Sequence, residues 1–274
     1  MKIADSDRVL YRQNPLAEVV CQVRFIRILE LETAAPAAFQ DEVAAQSYPI
    51  LSFDTPLDFK IIPSEQNPGV SLNPAQAPRI FHFATEDGSH KVSLSADFVT
   101  LTCTKYTEWP DFIGRMLALA KVFSNVYPRA RPIRLGLRYK DVIVREGLGL
   151  DGARWSELIA PFLLGPIADG ALSNDDTFDD SEIGNYMSQT ILALDDCGLL
   201  LQSGLLTAAD GSEKRAFLID EDFFIADNLP SDCLANDDSL KILLDRLHSN
   251  AGKLFRRCIK EKLHAALRPI DNRP

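Results

Sequence analysis

Twice along the chain, three successive strand-like runs, alternating apolar and polar in the first series, are followed by a segment whose apolar residues recur every three or four positions. The first series is RIFHFATE (79–86), HKVSLSA (90–96) and FVTLTCTKY (98–106), then WPDFIGRMLALAKVFSNVY (109–127). The second is NYMSQTILALDD (185–196), GLLLQSGLLTAA (198–209) and RAFLIDEDFFIAD (215–227), then 237–269, which begins DDSLKILLDRL. A period of two marks a strand with one buried face, and a period near 3.6 marks an amphipathic helix. Asp87-Gly88, Asp195 to Gly198 and Ala209 to Ser212 supply tight turns between the runs. Strands grouped in antiparallel meanders, with helices set apart to cover one face, define an α+β fold.

Other segments fit the same scheme. EVVCQVRF (18–25), LDFKIIPS (57–64) and PIRLGLRYKDVIVRE (132–146) read as strands, and residues 33–49 and 155–165 read as helices. The Pro, Asn and Gly cluster over 64–78 reads as a long loop. In 132–146 the apolar face is Ile133, Leu135, Leu137 and Tyr139, continuing after one register position with Val142 and Val144. The C-terminal segment is expected to be the longest helix, with an apolar stripe roughly 45 Å long at 1.5 Å per residue. Asp237 or Asp238 caps it and Pro269 ends it, while Lys253, Arg256, Arg257, Lys260 and Lys262 make it strongly basic. Residues 1–150 and 151–274 are then two related α+β units, or one continuous domain.

Charge narrows the function classes. The net charge is −10, and residues 151–240 hold 19 acids against 3 bases, while 241–274 hold 3 against 9. A strongly acidic middle argues against generic nucleic-acid binding, which needs a basic face. It suits either a solvated acidic surface or an acidic face for a partner protein. No stretch approaches the roughly 20 apolar residues of a membrane span, and no signal peptide is expected. Five scattered cysteines without a C-x-x-C pair read as reduced, buried thiols of a cytoplasmic protein.

Chemistry-bearing motifs are absent at the level of sequence. There is no G-x-S-x-G, Walker or dinucleotide fingerprint, and His82, His90, His248 and His264 lack metal-ligand spacing. His82 and His90 flank the Asp87-Gly88 turn and are expected to face solvent. The clusters Asp175, Asp176, Asp179, Asp180 and Asp220, Glu221, Asp222 lack the ligand order of a calcium loop and read as solvated. No catalytic residue, metal or cofactor is therefore assigned.

The stretches NPLAEVVCQVRF (14–25), ADFVTLTCTKYTEWPDF (96–112) and RLGLRYKDVI (134–143) resemble a sporadically distributed prokaryotic family of uncharacterised proteins of about this length. The resemblance is clearest in the first half. It implies a bacterial or archaeal cytoplasmic protein and carries no activity or catalytic residues.

One polar group stands out. Arg134 and Arg138, four residues apart on a strand, share a face about 13 Å apart. With Lys140, and with Arg24 from another strand, they could engage a phosphate or an acidic partner. Tyr139, Tyr106 and Trp109 would add an aromatic wall. The alternative is that these cations pair with Asp97, Glu108 or Asp141, or with acids of the middle segment. Two functions follow. The first is a non-enzymatic interaction or regulatory protein, antitoxin- or immunity-like, that meets a basic partner protein through its acidic surface; homo-oligomerisation stays open. The second is a small-molecule or nucleotide-binding module, with or without enzymatic activity, lined by Arg24, Arg134, Arg138, Tyr139, Tyr106 and Trp109.

Overall fold

A computed structural model describes residues 1–6, 9–54, 57–62, 71–76, 78–171, 182–207, 214–226 and 229–270, with only the backbone course for 57–62 and 71–76. The strands are β1 (Leu10–Tyr11), β2 (Leu16–Phe25), β3 (Ile50–Asp54), β4 (Leu57–Ile62), β5 (Ser71–Gln76), β6 (Ile80–Ala84), β7 (His90–Ser95), β8 (Phe98–Cys103), β9 (Pro132–Val144), β10 (Met187–Ala193), β11 (Gly198–Thr207), β12 (Arg215–Ile225) and β13 (Pro269–Ile270). The helices are α1 (Glu30–Thr33), α2 (Ala37–Ala45), α3 (Trp109–Val126), α4 (Trp155–Leu158), α5 (Pro161–Leu164), α6 (Asp237–Cys258) and α7 (Glu261–Ala266). Nine strands form one antiparallel sheet in the order β10-β11-β12-β9-β2-β8-β7-β6-β3, and β4 with β5 and β1 with β13 form two-stranded pairs. The protein is α+β, and among the described residues no helix is long and apolar enough to cross a membrane.

The chain divides into two compact units: Met1–Val20, Gly136–Asn228 and Lys241–Pro274 form the first, Cys21–Leu135 and Leu229–Leu240 the second. Their boundaries cut through β2 and β9.

In the second unit the alternation works as the sequence implies. Phe81, Phe83, Val92, Leu94, Val99 and Leu101 point to one face, where Phe39 and Val43 of α2 and Phe112, Met116, Leu119 and Phe123 of α3 close over them. Phe25 lies 4.8 Å from Phe123 and Phe39 lies 5.6 Å from Phe83, centroid to centroid. Each such fully buried side chain contributes about 1.5–3 kcal/mol through removal from water. Pro110 sits in the first turn of α3, where its missing N–H costs nothing.

In the first unit, β10, β11, β12 and β9 present Leu199, Leu201, Phe217, Ile219, Phe223, Leu137 and Tyr139 to the core, together with Leu244, Leu247, Ala251 and Cys258 from α6. The expected continuous C-terminal helix is interrupted. Ile259 leaves the helix to bridge Ile159, Ala160 N–H donates to the Cys258 carbonyl and Lys260 N–H to the Leu158 carbonyl, each at 2.8 Å. Strand-like pairing with 158–160 competes with the helical ladder and wins, so α6 has 22 residues and α7 restarts with Lys260 extended. Residues 155–165, expected as one helix, likewise form two single turns, because Ile159 and Ala160 are extended ahead of Pro161. The stretch 64–78 is not all loop, since β5 pairs with β4 across it.

The turn at Ala209 to Ser212 and the Asp175 to Asp180 cluster lie outside the described residues. All five cysteines are free and buried.

Candidate functional site

Strand β9 buries Leu135, Leu137, Tyr139, Asp141 and Ile143 on one face, while Ile133 near its start, expected on that face, is exposed. The expected register change that would have turned Val142 and Val144 inward does not occur, so a carboxyl enters the core instead. Strand β12 likewise buries Phe217, Ile219, Glu221 and Phe223, and Glu221 is 1% exposed. Two acids from two strands thus share the interior of the first unit with Cys258 and His248 of α6, both buried.

The chemistry of this cluster follows from its dryness. Burial, reinforced by the Asp220 charge, pushes the Asp141 carboxyl up to about 8. Burial, then the Asp141 charge, holds Glu221 well above the usual carboxylate range despite a hydrogen bond from Cys258. Cys258 Sγ donates to Glu221 Oε1 at 3.7 Å, and the Cys258 thiol is itself pushed up by burial and by Glu221. Glu221 Oε2 has no hydrogen-bond partner among the described residues. Neutral acids beside a protonated thiol offer neither a nucleophile nor a metal cage. No group of three or more His, Cys, Asp or Glu among the described residues is placed to hold a metal ion.

The six residues singled out from sequence fall in different places. In the first unit, Arg138 clamps Asp220 with two hydrogen bonds, Nε to Oδ1 at 2.6 Å and a second from the other guanidinium nitrogen to Oδ2; Asp220 is 3% exposed. Tyr139 Oη is hydrogen-bonded to His248 Nδ1 at 2.5 Å inside the core. Lys140, the neighbouring cation, donates to Glu18 at 2.8 Å. In the second unit, Arg24 donates to Asp97 at 3.0 Å. Arg134 is half-buried on β9. Trp109 stacks on Phe112 at 6.0 Å, and Tyr106 meets the same ring at 6.2 Å. The cations therefore pair largely as the alternative reading had it, with Asp97 and with an acid of the middle segment.

A further array was missed. On the second unit's other sheet face, Asp54, His82 and Ser93 are linked, His82 Nε2 to Asp54 at 3.1 Å and His82 Nδ1 to Ser93 Oγ at 2.8 Å. The register explains it, for Ser52, His82, Ser93 and Thr100 sit opposite one another across four strands. The Asp–His–Ser order is that of an activated hydroxyl, but Ser93 lies in a strand paired on both sides, so the surrounding N–H groups are committed to the ladder and no oxyanion donors remain there. His82 and His90 do not form a solvent-facing pair. His90 sits opposite Cys103, is 7% exposed, and accepts or donates through Nδ1 to Ser89 at 2.9 Å; burial, then Arg115, lowers its proton affinity.

No family model matches the chain, and no curated protein matches it. Among solved structures it is similar to the RNA triphosphatase Pct1 of S. pombe in complex with the Spt5 CTD, at 7% identity over 97% of this chain and 88% of that chain. The TM-score is 0.14.

Proposed function

We propose that the chain is a non-enzymatic binding protein that presents acidic side chains to a basic protein partner, in the manner of an antitoxin- or immunity-like accessory of a bacterial or archaeal cytoplasm. The observation that supports this reading is the unequal fate of its charges. Arg24, Arg138 and Lys140 are engaged by acids of the same chain. Asp232, Asp237 and Asp238 are exposed and form no ion pair among the described residues. They rim an open depression of about 710 Å³ in the second unit, lined also by Lys121, Ser124 and Asn125, into which a partner's lysine or arginine can reach. Asn236 Oδ1 accepts the Ser239 N–H and caps α6 there, so the start of the helix is held firmly. The ligand-pocket alternative built on Arg24, Arg134, Arg138, Tyr139, Tyr106 and Trp109 has less support, because three of its members already spend their polar groups internally.

The test is native mass spectrometry of the protein purified from its own host, alongside an Asp232→Asn, Asp237→Asn, Asp238→Asn variant. A basic protein partner that dissociates with rising salt, and is lost from the variant, is the expected result. A partner unaffected by both changes, or no partner at all, overturns the proposal.

A further inference from the structure

Of the seven cations from Lys241 to Lys262, the structure gives partners to five, Lys241 with Asp245 among them. Lys253 donates to Asp5 at 2.6 Å, Arg256 pairs with Glu261, Lys260 donates to the Ser156 carbonyl at 2.5 Å and Lys262 donates to Glu157 at 2.8 Å. Arg257 forms no hydrogen bond or ion pair among the described residues. It lines a cavity of about 440 Å³ whose other walls are Leu192, Leu199 and Leu201 of the β10–β11 sheet face, Leu163 of α5, Leu254 of α6 and the N-terminal segment at Ile3.

The first unit builds this cavity deliberately in the physical sense. The N-terminal segment is tied down on two sides, by the Asp195 N–H to the Met1 carbonyl at 3.1 Å and by Ser6 Oγ to the Lys253 carbonyl at 3.0 Å. It therefore forms a wall opposite α5 and the sheet. Leu199, Leu201 and Leu163 are buried in the floor, while Ser188 and Thr190 of β10 bring hydroxyls to the side. An apolar cleft of this volume with a few convergent polar groups has the ordinary form of a small-ligand site. Arg257 is exposed at the mouth, and Lys2 of the N-terminal segment lines the same cavity, so its charged side is cationic.

We propose that this cavity binds a single-chain amphipathic anion, an alkyl carboxylate of medium length, with the chain against the leucines and the carboxylate on the Arg257 guanidinium. The guanidinium matches a carboxylate through two parallel N–H donors, and Ser188 or Thr190 can donate a further hydrogen bond. The same chemistry is offered by a fatty acid free in solution and by the anionic surface of a lipid bilayer. The enclosing N-terminal segment favours the free ligand. This site is independent of the acidic rim at Asp232, Asp237 and Asp238, so either proposal can fail alone.

Titration calorimetry with decanoate below its micellar range tests the idea, with decyltrimethylammonium and decanol as chain-matched probes of the headgroup. One decanoate per chain should bind, decanol more weakly, and decyltrimethylammonium not measurably. Arg257→Glu should weaken decanoate at least about tenfold, since both charge-assisted hydrogen bonds of the guanidinium are lost, while Arg256→Glu on the same helix leaves it unchanged. Thr190→Trp, an exposed strand position that tolerates an aromatic, should block decanoate and decanol together without altering the melting temperature. Absence of saturable decanoate binding, equal affinity for the cationic probe, or full affinity in Arg257→Glu or Thr190→Trp overturns the proposal. So does co-sedimentation with vesicles of anionic phospholipid in the absence of decanoate binding.

Discussion

At the scale of single residues, the fate of each charge is decided by which face of a strand it occupies. Arg138 lies on the opposite face of β9 from Tyr139 and Asp141, and it reaches Asp220 of β12, whose side chain is 4% exposed against 38% for the arginine. Removing the arginine strands a buried carboxylate. Arg138→Met should therefore destabilise the protein by about 2–3 kcal/mol, and adding Asp220→Leu should recover most of it, because a buried pair replaced by apolar groups is often close to neutral. Urea unfolding of the two variants checks this, and equal losses in both would sink it. The cationic cluster was visible in the sequence. Its partners were not, since Arg138 and Asp220 are 82 residues apart and only strand order brings them together. Asp141 was misplaced for a related reason: apolar preference argued for a register slip at that point, whereas the alternation from Leu137 to Ile143 runs straight through it and carries the acid inward.

At the scale of elements, the alternating runs and the helical stretch after them were legible because each is decided locally, by periodicity and turn residues. The runs at 80–84, 90–95 and 98–103 and the helix at 109–126 needed nothing distant. What escaped depends on partners. Strand β3 has five exposed residues and no alternation of burial, so it exists through its pairing with β6. The break after Cys258 exists through residues 158–160. The cavity beside Arg257 is assembled from four separated stretches, and the sequence could name the cation but not its lack of a partner. Close packing within the meander carries its own test. A Cβ on Gly204 of β11 would meet the Met187 sulfur and lie 2.5 Å from the Tyr186 carbonyl oxygen, which already accepts the Leu205 N–H at 2.9 Å. Gly204→Ala should cost about 1–3 kcal/mol by overpacking. Gly114→Ala, on a helix with open space at that point, should be neutral or mildly stabilising by the same thermal melts. Equal melting temperatures in the two variants would show that β10 and β11 separate more easily than their packing implies.

At the scale of the whole molecule, two sources of negative charge act on stability, and pH with salt separates them. The surface acids give the net charge of −10, and they are essentially all ionised above about pH 5, so their mutual repulsion changes little from there to about pH 8. The interior acids behave differently. Asp141 and Glu221 are held neutral in the folded chain, first by burial and then by neighbouring carboxylate charge, with the Cys258 thiol hydrogen-bonded to Glu221, but in the unfolded chain they ionise near pH 4. Between those limits the folded state holds more protons than the unfolded one. Their contribution to stability is thus fully present below about pH 4 and is lost as pH rises, at about 1.4 kcal/mol per pH unit for each carboxyl, until Asp141 ionises at about 8. Unfolding free energy measured from about pH 5 to 8 in about 1 M salt, where surface charges are screened beyond about 3 Å, should fall steadily. Asp141→Asn should remove about half of that slope, and Asp141→Asn with Glu221→Gln nearly all of it, whatever the absolute stability of the variants. A slope that vanishes with salt in the unmodified protein would place its origin on the surface and leave the buried pair without a role in the pH response.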